Sequence, residues 1–484
     1  MSRRSSTKVL KDNLLEHFQN VEDVHIVEQR FLSGRQHYDC SFVYCKGMIN
    51  HDFMVDTILP NLQKMVEIET RIDETHLKSM FDVTVMEPTT SLLDNIEKQI
   101  FTGSLILIDH AYKHVYSISI AKSPQRNVED SNMEVSIRGP RDGFIEDVTT
   151  NVALIRKRLK TSSLKVKSYT VGSRSQTEIK LVYLGDVLNP KILKQVEHRL
   201  KNIDTSVVTS SYHIEEQLYD QTHSLIPLVE YSGRPDFVVE AINEGRFAII
   251  VDGNPSVLLA PTNFSLLIRA AEDNQASYMY VNTERMIRIG ALLTSILLPG
   301  FWLAITSFQI EQIPFPLVAT IAESRLGLPM SSALEMFLIL LFFELFKEAG
   351  IRLPSAVGQT IAVLGGLIVG DAAIRAGLTS PATLVIGAVS IISSYTLTDQ
   401  SLAGNLLIIR FFVLALSAYL GLFGFFFSLF ILLTYFASVT SFGHHFITPI
   451  DRGKMEDTIK GLFRFSVRKD KKRTLAYRPT DSDK

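Results

Sequence analysis

Charge is spread along this chain so unevenly that it dictates two physically different regions. Between Met286 and Gly443, 158 residues carry 13 Asp, Glu, Lys or Arg, while the other 326 residues carry 87 of the 100. About 20 consecutive apolar residues cross a bilayer as a helix. In hydrocarbon the backbone polar groups must be satisfied within the segment, which favours helices there. The reading is an α/β cytosolic N-terminal region followed by an all-α polytopic membrane domain of four to six spans. The expected divisions are 1–135 and 136–275 for two tandem α/β subdomains, 276–446 for the helical membrane domain, and 447–484 for a basic tail.

The α/β expectation rests on periodicity. Val24 to Phe31, Tyr38 to Cys45, Ser104 to Asp109, His114 to Ala121, Leu164 to Val171 and Glu178 to Leu184 read as strands. Leu10 to Phe18, Asp52 to Val66 (despite Pro60), Leu92 to Ile100, Asp147 to Lys160 and Pro190 to Leu200 read as helices. Two echoes suggest duplication. Phe42-Val43-Tyr44 leads through Gly47 into a helix, as Leu181-Val182-Tyr183 does through Gly185, 139 residues later. The helix, Gly103 and strand ending at Ile108-Asp109 recur as a helix, Gly245 and a strand ending at Val251-Asp252, 143 residues on.

In the apolar region, Ile287 to Phe308 is long enough to span, with a kink expected at Pro299-Gly300. Ser331 to Phe346, Val357 to Ala376 and Ala382 to Leu397 are further segments, and Ala403 to Ser441 is too long for one span, with a break expected at Gly421 or Gly424. After Gly443 there are 11 Lys or Arg against six acids, which favours a cytoplasmic tail. Met1 to Ser6 holds two arginines with no apolar run after it, so no cleavable signal is expected and the N-terminus is also cytoplasmic.

Ionisable groups at membrane depth are candidates for function. Glu335 has no cation within four residues and is expected neutralised or facing a cavity. Glu344 is spaced to pair with Lys347, and the nine residues separating Glu335 from Glu344 put them on opposite sides of a helix. Asp371 and Arg375 are i, i+4 and can pair. Arg410, near the start of its segment, is placed to snorkel to the interface, with a buried partner as the alternative. These five are the candidate ion-path or gating residues. Lys347, Glu348 and Arg352 lie in a string ending at Pro354, expected to be a turn between crossings. With Arg285 and Arg288, at the entry to the first span, they are the hinge or coupling candidates.

Several function classes are excluded. A net charge of −2 argues against a nucleic-acid field. No phosphate-cradling glycine loop, nucleophile elbow or metal cluster stands in the sequence, so no enzyme chemistry and no cofactor are expected. Two cysteines, Cys40 and Cys45, are too few for a structural zinc site and read as reduced core or edge thiols. His444-His445 suits an interfacial or capping role.

Ordered motifs add a resemblance. Arg138-Gly139-Pro140-Arg141-Asp142-Gly143-Phe144, Asn151 to Arg158, and Gly245-Arg246 through Val251-Asp252-Gly253-Asn254-Pro255 lie in the first region. Glu272-Asp273, Arg285-x-x-Arg288, Ile313-Pro314, Glu348 to Pro354, Ala372-Ala373, Ala376-Gly377, Ser380-Pro381, Arg410-Phe411 and Ser441-Phe442-Gly443 follow. Together they resemble the A subunits of GerA-type spore germination receptors from about residue 35 to 450. The family pattern usually has Arg at Lys347, two tyrosines at Asn274-Gln275 and a second arginine at Leu407, and often Gln and Glu at Asp371 and Arg375. The resemblance implies a membrane subunit of a nutrient-sensing complex in the inner membrane of bacterial spores. It would act with a transporter-like, nutrient-binding B subunit and a lipoprotein C subunit. It would oligomerise into a monovalent-ion path or, alternatively, serve as a non-conducting scaffold for the other two.

Overall fold

The computed structural model of the chain describes residues 12–33, 36–69, 71–86, 92–110, 114–122, 139–221, 223–352, 370–448, 455–465, 473 and 479–481. Two five-stranded sheets dominate the first half. Strands β1 (Val24–Ser33), β2 (Gln36–Cys45), β3 (Val83–Met86), β4 (Ser104–Asp109) and β5 (Val115–Ser119) form the first, in the order β1-β2-β4-β5-β3. Strands β6 (Leu164–Val171), β7 (Thr177–Leu184), β8 (Glu230–Ser232), β9 (Phe247–Val251) and β10 (Val257–Ala260) form the second, in the order β6-β7-β9-β10-β8. The two orders are the same once the second set is counted from its own first strand. Neighbouring strands in both sheets run antiparallel.

Both faces of each sheet are covered, which explains the uninterrupted apolar runs of the central strands. In β4, Leu105 and Leu107 join the core that includes Leu62 and Met65 of helix α1 (Leu59–Glu69). Ile106 and Ile108 join the opposite core with Ile96 and Ile100 of α2 (Leu92–Ile100). The second sheet repeats the scheme. Ala248 and Ile250 of β9 pack with Val152 and Ile155 of α3 (Val148–Arg158). Phe247, Ile249 and Val251 pack with Ile192 and Val196 of α4 (Pro190–Lys201). Helices α5 (Ser211–Leu218) and α6 (Pro235–Asn243) complete the layers. Capping starts α3: Asp147 accepts from the Thr150 N–H at 2.7 Å. Arg156, Lys157 and Arg158 close its last turn, where positive charge suits the helix dipole.

The helix expected over Asp52 to Val66 is helical throughout, but Met54–Ile58 is a π-helical stretch. Strands β3, β8 and β10 were not anticipated. Cys40 and Cys45 are free and buried. The thiol of Cys45 donates to Asp23 at 3.4 Å, and burial next to that carboxylate pushes its pKa up. Asp23 also ties the sheets together. Arg156, fully buried on α3, reaches it with Nε and Nη2, each at 2.8 Å, and stacks over Phe101.

The second half is helical: α7 (Tyr278–Phe308), α8 (Phe315–Ser324), α9 (Ser332–Arg352), a helical stretch at 370–375, α10 (Pro381–Ser394) and α11 (Gln400–Ser438). Among the described residues, Tyr278–Phe308 and Leu402–Ser438 are long and apolar enough to cross a membrane, and Phe315–Ser324 and Pro381–Ser394 are shorter apolar helices. Gly300 lets α7 meet α11 closely, since a Cβ there would stand 2.8 Å from Val413 Cγ1. At Gly421 α11 leaves helical geometry, with φ 59° and ψ −139°. Of the segment Val357 to Ala376, positions 357–369 lie outside the described residues, as do Arg138 and Pro354.

Candidate functional site

The site is built where the helical half meets itself and where it meets the second sheet. Glu335 stands in the first turn of α9 and is 1% exposed. Its Oε1 accepts from Ser380 N–H at 2.5 Å, Ser380 Oγ at 2.9 Å and Thr379 Oγ1 at 2.9 Å. Ser380 is also the N-cap of α10, so the carboxylate adds to the capping of that helix's start, where negative charge is favoured. Its Oε2 has no hydrogen-bond partner among the described residues. Glu335 belongs to the wall of a cavity of about 540 Å³ together with Met330, Leu338, Phe342, Ala373 and Leu384.

Glu344 lies half-buried further along α9 and accepts from Lys347 Nζ at 3.0 Å. Arg410 is 2% exposed and does not snorkel, a correction to the first expectation. Its Nε donates to the Ser295 carbonyl at 2.7 Å, which also accepts from Ser390 Oγ at 2.9 Å. The cause is Pro299: lacking an N–H, it leaves the carbonyl four residues earlier open, and Arg410 fills the gap. Glu344 and Tyr395 lie within electrostatic reach of Arg410.

Asp371 and Arg375 pair at 2.8 Å, but their side chains are 59% and 79% exposed, so screening leaves the pair little strength in water. The string holding Lys347, Glu348 and Arg352 is not a turn as far as Arg352. Helix α9 runs on through it, because Lys-Glu-Ala before Gly350 are good helix formers and Glu344 pairs with Lys347.

Arg285 and Arg288, on the first turns of α7, are buried on one acid. Arg285 Nε meets Asp273 Oδ2 at 2.8 Å and Arg288 Nη2 meets Oδ1 at 3.0 Å. Arg288 also donates to the Ile268 carbonyl at 2.9 Å. Asp273 thus pairs with both cations, and Glu284 Oε2 lies 3.5 Å from Arg288 Nη2 as a second acid beside them.

A second junction follows α11. Thr440–Ser441 pairs antiparallel with His444–His445, and the hairpin tip places Phe442 inside the core of the second sheet, edge-on to Phe247 at 5.0 Å and under Arg199 at 4.6 Å. Asp220 accepts from Thr440 Oγ1 at 3.1 Å and from Gly443 N–H at 3.0 Å. His445 Nδ1 lies 3.2 Å from the Ala437 carbonyl in the last turn of α11. The structure therefore gathers Glu344, Lys347 and Arg410 in one neighbourhood and leaves Glu335, the Asp371–Arg375 pair and the Arg285–Arg288 pair in others. Asp273, Ser380 and Phe442 were legible only as members of motifs, without roles, and Thr379 stood in none of them.

The model of the Bacillus/Clostridium GerA spore germination protein matches residues 12–476. The chain belongs to the GerA family. It is 38% identical to spore germination protein XA of Bacillus anthracis, over 94% of this chain and 93% of that one. It is 34% identical to spore germination protein GerLA of Bacillus cereus, over 85% and 84% respectively. The N-terminal domain of the A subunit of the Bacillus megaterium spore germinant receptor GerK3 aligns with 54% of this chain and 96% of its own, at 25% identity and a TM-score of 0.42. GerA-family chains are receptor subunits in germination and not enzymes.

Proposed function

We propose that this GerA-family chain is the multi-pass A subunit of a nutrient germinant receptor in the inner membrane of the spore, with both termini cytoplasmic. In this reading it acts with a transporter-like B subunit and a lipoprotein C subunit, and copies of it assemble around a gated path for monovalent cations. The observation that carries the reading is Glu344, a half-buried carboxylate held inside an apolar helix by Lys347 with Arg410 in range. A charged group kept at such depth is expensive and is retained for a task. Glu344 and Glu335 attract cations along the path, Arg410 sets the field beside it, and the Asp371–Arg375 pair changes between closed and open states. Lys347, Glu348 and Arg352 at the end of α9, with Arg285 and Arg288 at the start of α7, transmit movement of the α/β region.

Purified protein in potassium-loaded liposomes tests this. Glu344→Gln with assembly intact should lower cation flux several-fold, and unchanged flux removes Glu344 from the path. If neither the wild type nor a variant loosened at Arg410 (Arg410→Gln) gives an ion-selective leak, the chain is a scaffold for the B and C subunits.

A further inference from the structure

The carboxylate of Glu335 is unevenly satisfied. Oε1 takes three donors from Thr379 and Ser380, while Oε2 takes none among the described residues. A buried polar atom left without a partner is rare and calls for an explanation. No Lys, Arg or His stands within ion-pair distance of Glu335 among the described residues, so the chain supplies donors but no opposite charge. Burying an unpaired carboxylate is costly. Around it the cavity wall is apolar, with aromatic rings from Phe342, Phe343 and Phe346 and small side chains from Ala372, Ala373 and Ala376. Its volume, about 540 Å³, falls within the range of small-molecule sites.

We propose that this cavity is a binding site for a small hydrophobic amine, its ammonium on the Glu335 carboxylate and its alkyl or aryl body among the α9 aromatics. An ammonium supplies both missing elements, a donor for the second oxygen and a compensating charge. The small residues leave the space that the body occupies. Thr379 and Ser380 hold the carboxylate in place, so the site is pre-formed. A ligand seated there bridges α9 to the start of α10 through Glu335. This goes beyond the ion-path reading, because occupancy is measured without conduction.

The test uses labelled phenethylammonium and the full-length protein in detergent, with equilibrium dialysis as readout. The wild type should bind saturably, one molecule per chain. Glu335→Gln, which keeps an acceptor for Thr379 and Ser380 but removes the charge, should weaken binding at least about tenfold. Ala373→Leu, which fills the wall and leaves the carboxylate alone, should do the same. The uncharged 2-phenylethanol should bind the wild type at least about tenfold more weakly than the amine. Absence of saturable binding to the wild type overturns the proposal, and so does wild-type affinity in either variant. If Glu335→Gln elutes as aggregate, Ala373→Leu decides alone. Phenethylammonium binding that persists in Glu344→Gln, whatever that variant's flux, shows that the amine site stands or falls independently of the part Glu344 plays in conduction.

Discussion

Glu215 is a carboxyl that the fold prefers neutral. Burial lifts it from its ordinary 4.5 to about 7, a Tyr219 hydroxyl donating to it pulls the other way, and the field of Asp399 adds to the rise. A raised acid contributes stability that is fully present below about 4.5 and lost as pH rises through about 7. Thermal melts between those values should fall with pH in the wild type and flatten in Glu215→Gln; equal slopes would refute the assignment. Arg156 carries a different prediction. Arg156→Met strands Asp23 in the interior and should lose about 3–5 kcal/mol in denaturant titrations, and adding Asp23→Leu should recover much of it. The sequence displayed Glu335 as a charge in an apolar run and Arg156 only as part of a basic helix end. It did not display their partners, because Asp23 and Arg156, or Glu335 and Thr379, are joined only by tertiary structure.

Among elements, the legible ones were those whose own residues decide them. The pattern of α2 and the strand runs of β4 and β6 were read to the residue, since periodicity and a bounding glycine settle them locally. The break in the longest helix was legible at Gly421 for the same reason. Strands β3 and β8, with four and three residues, are too short to show alternation and exist because β5 and β10 offer them an edge. Helix α9 outran its apolar segment because helix propensity and not hydropathy sets its end. Pro299 gives the element-level prediction. It leaves the Ser295 carbonyl to the guanidinium, so Arg410→Met removes that donor and the contact between α7 and α11 should weaken by about 1–3 kcal/mol. Melting of the detergent-solubilised protein measures it, and a variant as stable as wild type would show that Arg410 holds no such place.

At the scale of the molecule, the repeated strand order was foreshadowed by the two offset echoes, since buried strand runs and the glycines after them recur with the architecture. The joint between halves was not, because the surroundings of Phe442 come from Arg199, Asp220 and Phe247, far back in the chain. Phe442→Ala should leave a void in the second sheet and lower stability by about 3–5 kcal/mol. Limited proteolysis should then cut the α/β region faster, and an unchanged digestion pattern would refute the plug. That plug also sets an order of assembly. Synthesis releases β6 to β10 before any of α7 to α11 exists, yet their core has an empty position until residue 442 leaves the ribosome. The Thr480 N–H also donates back to the Val187 carbonyl at 3.0 Å. The second sheet is therefore completed only by residues made long after its own strands. A chain whose apolar helices are mislaid keeps that position empty, so Phe442 couples the packing of the second sheet to the placing of α11.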